Sequence, residues 1–195
     1  DREIYCRVVL FACSEFPAYE NLDQCLETSA TFERGVPGDF TDNTLRCRRY
    51  HALNALADPN THCSHAGPAG DGHCATVEDT GNCTSYCRIL STACGDAFTT
   101  EFNQDIASCV QSCSSLPDAP RDAFGPEPRA PDAPPGTPLG PPRYTVGPNS
   151  PLPPGTLKCR TLHAVRALAA PNGPECASAL AEPGSECAPD TAEPP

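Results

Sequence analysis

The chain has 195 residues, a formal net charge of −12 and a sequence pI near 4.7. That sign excludes nucleic-acid binding and disfavours anionic membrane surfaces, and no apolar run is long enough to span a bilayer. Fourteen cysteines, an even number with no C-x-x-C zinc pair, point to a disulfide scaffold in an oxidising compartment: secreted, periplasmic or at the cell surface.

In chain order, the first predicted helix runs over 3–15 and carries Cys6 and Cys13 two turns apart on one face. Asp1 opens directly into this folded-looking sequence, so a leader is expected to have been removed or left out. A second helix is predicted over 19–32 and a third over 43–57, the latter with Asp42 or Asn43 as its N-cap. Residues 61–74, THCSHAGPAGDGHC, read as a loop. The pattern then restarts. YCRILSTAC at 86–94 repeats YCRVVLFAC at 5–13, with five of nine positions identical. LKCRTLHAVRALAAPNGPEC from Leu157 repeats LRCRRYHALNALADPNTHC from Leu45. Cys47 thus aligns with Cys159, His51 with His163, Cys63 with Cys176 and Cys74 with Cys187. Helices are predicted over 83–96, 102–114 and 157–169, the last capped by Thr156. No alternating strand pattern appears.

These elements predict an all-α, disulfide-rich fold of two tandem small three-helix domains. Each is a stapled αα-hairpin plus a third helix and a disulfide-closed loop. The first spans 1–78 and the second 79–195. The register shift between the copies is 81 residues at the first block and 112 at the last, which locates a Pro-rich insertion at about 116–156. Fourteen of the 24 prolines lie there. Proline fixes φ and donates no hydrogen bond, so the insertion is expected to be an extended spacer or strap.

The repeat also constrains the sulfur pairing, because one scheme should serve both copies. Cys83 and Cys113 have no counterparts in the first copy, where Arg2 and Ser29 stand. Losing one bridge removes two cysteines together, so Cys83 is paired with Cys113. The nested pair is Cys87–Cys109, matched by Cys6–Cys25. Cys13 is expected to reach the third helix at Cys47, and Cys94 to reach Cys159. Cys63–Cys74 and Cys176–Cys187 are then left to close short loops.

His51 and His163 lie one turn beyond a cysteine and read as structural histidines bonded to a backbone carbonyl. The chemistry-bearing stretch is the loop with His62, His65 and His73. A Cys63–Cys74 bridge would bring His62 and His73 side by side, and three imidazoles can ligate zinc or copper. In the second copy the same places hold Glu175, Ser178 and Glu186, a set that suits a harder cation such as calcium. No haem-attachment, serine-hydrolase, metalloprotease, phosphate-loop or dinucleotide motif is present, and the protein is not expected to be an enzyme. Leu10 and Phe11 stand where the second copy has Ser91 and Thr92, an apolar pair expected to be covered by the other copy, by the strap or by a partner protein.

Two resemblances follow from these residues. C-x3-C…C-x3-C at Cys83, Cys87, Cys109 and Cys113 resembles the α-hairpinin pattern, with a longer stretch between the inner cysteines. The hairpin cysteines followed by residues 43–52 and 62–74 resemble cysteine-rich secreted repeat proteins of myxobacterial type, a likeness that implies location and architecture. The leading expectation is a secreted or periplasmic structural and interaction protein, an accessory subunit of a larger extracellular or membrane-associated assembly. The alternatives are a metal-binding protein using the histidine-rich loop and a hairpin-type protease inhibitor.

Overall fold

The computed structural model describes residues 1–70, 73–74, 81–116 and 154–189, which form nine helices and no strand. The first half comprises α1 (Arg2–Ala12), α2 (Leu22–Ala30), α3 (Leu45–Asn54) and α4 (Pro59–Ala66). The second comprises α5 (Gly81–Ala93), α6 (Gly95–Phe102), α7 (Ile106–Cys113), α8 (Leu157–Ala167) and α9 (Glu175–Leu180). The Pro-rich insertion between 117 and 153 lies outside the described residues.

Local chemistry sets the helix starts. The Asn21 side chain accepts from Gln24 N at α2, and Thr44 and Thr156, 112 residues apart, accept from Cys47 N and Cys159 N. Thr44, rather than Asp42 or Asn43, is therefore the cap of α3. Asp58 caps α4 and Pro59 occupies its first turn, where a missing N–H costs nothing.

The αα-hairpin is formed in both halves: α1 packs on α2 and α5 on α7. The third helix lies against it, α3 on α1 and α8 on α5, and a fourth helix closes each group, α4 on α3 and α9 on α8. These fourth helices replace the expected loops and change the sulfur pairing. Cys6–Cys25, Cys87–Cys109 and Cys83–Cys113 are bonded as expected. Cys13 bonds Cys63 instead of Cys47, and Cys47 bonds Cys74. Likewise Cys94 bonds Cys176 instead of Cys159, and Cys159 bonds Cys187. The physical reason is α4. Once residues 59–66 are helical, Cys63 is carried to the end of α1, and Cys74 is left to meet α3. The corrected scheme still joins equivalent positions in both halves. No cysteine is free.

The equivalence reaches individual hydrogen bonds. Buried Tyr5 donates to Ala66 O at 2.6 Å, and buried Tyr86 donates to Ala179 O at 2.8 Å. Each ties the first helix of its hairpin to the end of the fourth helix. Tyr5 also accepts from the Tyr19 hydroxyl at 2.8 Å.

One buried cluster runs through both halves, from Tyr5, Val9 and Tyr19 to Ile89, Leu90, Leu157 and Val165. Polar links cross between them as well. Arg48, fully buried, donates to Thr44 O, Gly67 O, Pro68 O and Ser85 Oγ, with its guanidinium 3.9 Å from the Phe32 ring centroid. Arg88–Glu33 and Arg166–Glu20 pair at 2.7 and 2.9 Å. Leu10 packs against the buried cluster, whereas Phe11 is 77% exposed. Among the described residues, no helix is long and apolar enough to cross a membrane.

Candidate metal centre

Three elements deliver four histidines to one place. α3 presents His51, one turn beyond Cys47. α4 presents His62 and His65, which flank Cys63. His73 is held beside them by the Cys47–Cys74 bridge. Gly70 permits the tight return before His73: its φ is +77°, and a Cβ there would lie 2.3 Å from Cys74 O. Gly70 O accepts from both His73 N and Cys74 N.

The rings form a contiguous group. His51 Nδ1 lies 2.9 Å from His62 Nδ1 and 3.3 Å from His65 Nδ1. The His65 and His73 ring centroids are 4.0 Å apart. Ring nitrogens of His51, His65 and His73 all lie within 4.8 Å of one another. His51 and His65 are buried, at 5% and 9% exposure, and His73 is exposed.

The orientation of His51 follows from its other nitrogen. Nε2 lies 3.1 Å from Phe40 O. A carbonyl only accepts, so Nε2 carries the proton and Nδ1 of the neutral ring keeps its lone pair, aimed at His62 and His65. Metal-bound histidines are oriented by this same kind of carbonyl contact. Burial also disfavours the charged form of His51, His62 and His65. It lowers His51 to about 4, against the raising effect of the Phe40 carbonyl and with help from His62 and His73. Burial lowers His65 to about 2, aided by its three histidine neighbours, and lowers His62 as well. Neutral imidazole is the ligand form.

The spacing suits a small cation. Around an ion with metal–nitrogen bonds of about 2.0–2.1 Å, tetrahedral ligand atoms stand roughly 3.3 Å apart. The Nδ1 separations of 2.9 and 3.3 Å are already close to that. A set of imidazoles without carboxylate or thiolate suits zinc(II) or copper(II) over calcium or magnesium. Cys47 and Cys74 also lie beside His51, but both are committed to their disulfide.

The structure places His65 beside His73, in a group with His51, and sets His62 against His51, with the His62 and His65 ring centroids 6.0 Å apart. The expected Cys63–Cys74 ring does not exist. The carbonyl contact anticipated for His51 is present, and its other nitrogen faces the group. The sequence signal for including His51 was its position one turn past Cys47, which becomes informative once Cys47 is known to hold Cys74.

In the second half the equivalent residues arrange differently. His163, nearly inaccessible, has Nδ1 2.5 Å from Glu175 Oε2 and Nε2 3.3 Å from Glu186 Oε2. The two carboxylates of the pair expected from the sequence each meet a different nitrogen of the His163 ring.

Residues 3–80 match the model of the BfoA family C-terminal domain, so the first half of the chain is similar to that domain. The match covers less than half of the chain. No curated protein and no solved structure matches the chain.

Proposed function

We propose that the protein is a disulfide-stapled binding module of an oxidising, extracytoplasmic compartment, that it is built from two tandem repeats, and that its first repeat holds one zinc(II) or copper(II) ion through His51, His62, His65 and His73. The observation carrying this reading is the approach of His62 and His65 Nδ1 to His51 Nδ1 at 2.9 and 3.3 Å, with ring nitrogens of His51, His65 and His73 within 4.8 Å of one another. The complete pairing of all cysteines supports the compartment. The match to a family model over 3–80 supports the first repeat as a unit. The reading is one of binding, not catalysis.

Elemental analysis and calorimetric titration of the oxidised full chain test it. One equivalent of zinc or copper per chain is expected, bound at least tenfold more weakly after His62→Ala with His73→Ala. Undiminished binding by the double variant, or no stoichiometric binding by the wild type, would sink the reading.

A second reading, docking to a partner protein, has its own observation. Ile4, Phe11, Val36, Phe40, Tyr50, Leu53 and Leu56 are all exposed, and all belong to the first half. Phe40 and Tyr50 sit ring against ring next to His51. Capture of a native partner that is lost on Tyr50→Asp with Leu53→Asp would support it, and unchanged capture would not.

A further inference from the structure

The two halves solve one mechanical problem in two ways. In each, a histidine on the third helix (His51 or His163) meets the residue before the fourth-helix cysteine (His62 or Glu175) and the residue before the last cysteine (His73 or Glu186). The surrounding disulfides are equivalent: Cys13–Cys63 with Cys94–Cys176, and Cys47–Cys74 with Cys159–Cys187.

In the second half the tie runs through carboxylates. Glu175 Oε2 is hydrogen-bonded to His163 Nδ1 and Glu186 Oε2 lies 3.3 Å from Nε2, so the ring stands between two carboxylates. It joins α8 to α9 and to the segment before Cys187. Ser178 Oγ adds to the same tie by accepting from Glu186 N at 3.3 Å.

In the first half all three positions are imidazoles, and His65 replaces the serine. His51 spends Nε2 on Phe40 O, which leaves one lone pair for its neighbours. None of these three positions supplies a carboxylate to the ring on the third helix. A metal ion held by ring nitrogens of the group would supply the equivalent tie between the same segments.

We infer that the cation bound by the first half is a structural clamp, the counterpart of the Glu175–His163–Glu186 clamp, tying α3 to α4 and to the His73–Cys74 segment. This inference rests on the metal-binding reading above. It assigns the ion a permanent mechanical role in the folded module and not that of transported cargo.

The test uses the oxidised full chain, stripped with a chelator and then given zinc(II) alone. Zinc in about hundredfold excess over its dissociation constant should raise the unfolding temperature by roughly 5–10 °C. It should slow amide exchange in α4 at least tenfold and leave α9 unchanged. A variant carrying His62→Glu, His65→Ser and His73→Glu copies the second half. Without metal it should melt near the zinc-loaded wild type and should not respond to zinc. Stoichiometric zinc binding with no protection of α4 would overturn the clamp and leave the metal-binding reading intact. A triple variant that melts no higher than the stripped wild type would also overturn the clamp. Absence of zinc binding to the wild type would remove both.

Discussion

Arg48 shows how one side chain can hold several segments with no counter-ion among the described residues. Its guanidinium is fully buried among backbone carbonyls of α3's cap and of residues 67 and 68, reaches Ser85 in the other half, and rests on Phe32. Arg48→Leu would leave three carbonyls and a hydroxyl without this donor, each costing about 1–3 kcal/mol, partly offset by no longer burying a charge. A net loss of several kcal/mol is expected in denaturant midpoints. Arg48→Lys should recover less than half of it, because an ammonium lacks the planar fork that reaches four acceptors. The buried phenols make a second prediction at this scale. Burial pushes Tyr19 and Tyr86 up to about 12 and raises Tyr5 well above its ordinary value. The folded state therefore keeps them neutral, while the unfolded chain ionises near 10. Their contribution is complete below pH 10 and is lost as pH rises toward 12, on the order of 2–3 kcal/mol for each of Tyr19 and Tyr86. Phenolate absorbance and loss of helical circular dichroism should appear together in that window.

At the scale of elements, caps and covalent ties decide where helices lie. Thr44→Ala and Thr156→Ala each remove the side-chain acceptor at the start of a third helix and should cost about 1 kcal/mol apiece, read by chemical denaturation. The αα-hairpins were legible because cysteines four and seven apart mark a helical face directly. The fourth helices were not, although α4 carried a start signal in Asp58–Pro59. Its composition, rich in histidine and followed by glycine and proline, looks like a loop, and a helix of eight residues leaves little periodicity to detect. That one omission misdirected the sulfur pairing, since Cys63 in a loop suggests a local partner and Cys63 on α4 reaches α1. α6 was missed for a related reason: it follows α5 after only Cys94, and it fills the long stretch between Cys87 and Cys109. The histidine neighbours could be anticipated from their places beside cysteines. The Phe40 carbonyl that orients His51 could not, because nothing in a linear pattern shows which loop returns to a given ring.

For the whole molecule, sulfur does much of what a larger core would otherwise do. The bridges close loops with sequence separations from 19 to 82 residues. In the chain-entropy account each is worth on the order of 3–5 kcal/mol. Reduction should therefore abolish the cooperative thermal transition and not merely lower it, as scanning calorimetry with and without a phosphine reductant would show. Among the described residues the ties between the halves are of another kind: buried apolar contact, the Arg48–Ser85 and Ser85–Asn43 hydrogen bonds, and two exposed ion pairs worth little on their own.

Traced as a graph of covalent bonds, the bridges fall into two separate circuits. Cys6–Cys25, Cys13–Cys63 and Cys47–Cys74 close within the first half, and the other four close within the second. Cys94–Cys176 straddles the whole proline-rich stretch. A single scission there should leave one covalently continuous molecule until thiol is added. A single scission between Cys74 and Cys83 severs the only backbone connection between the circuits, and the pieces should part in detergent without any reductant. Gel mobility of the two nicked forms distinguishes them, and it makes the short junction, not the long one, the point at which proteolysis can divide this protein.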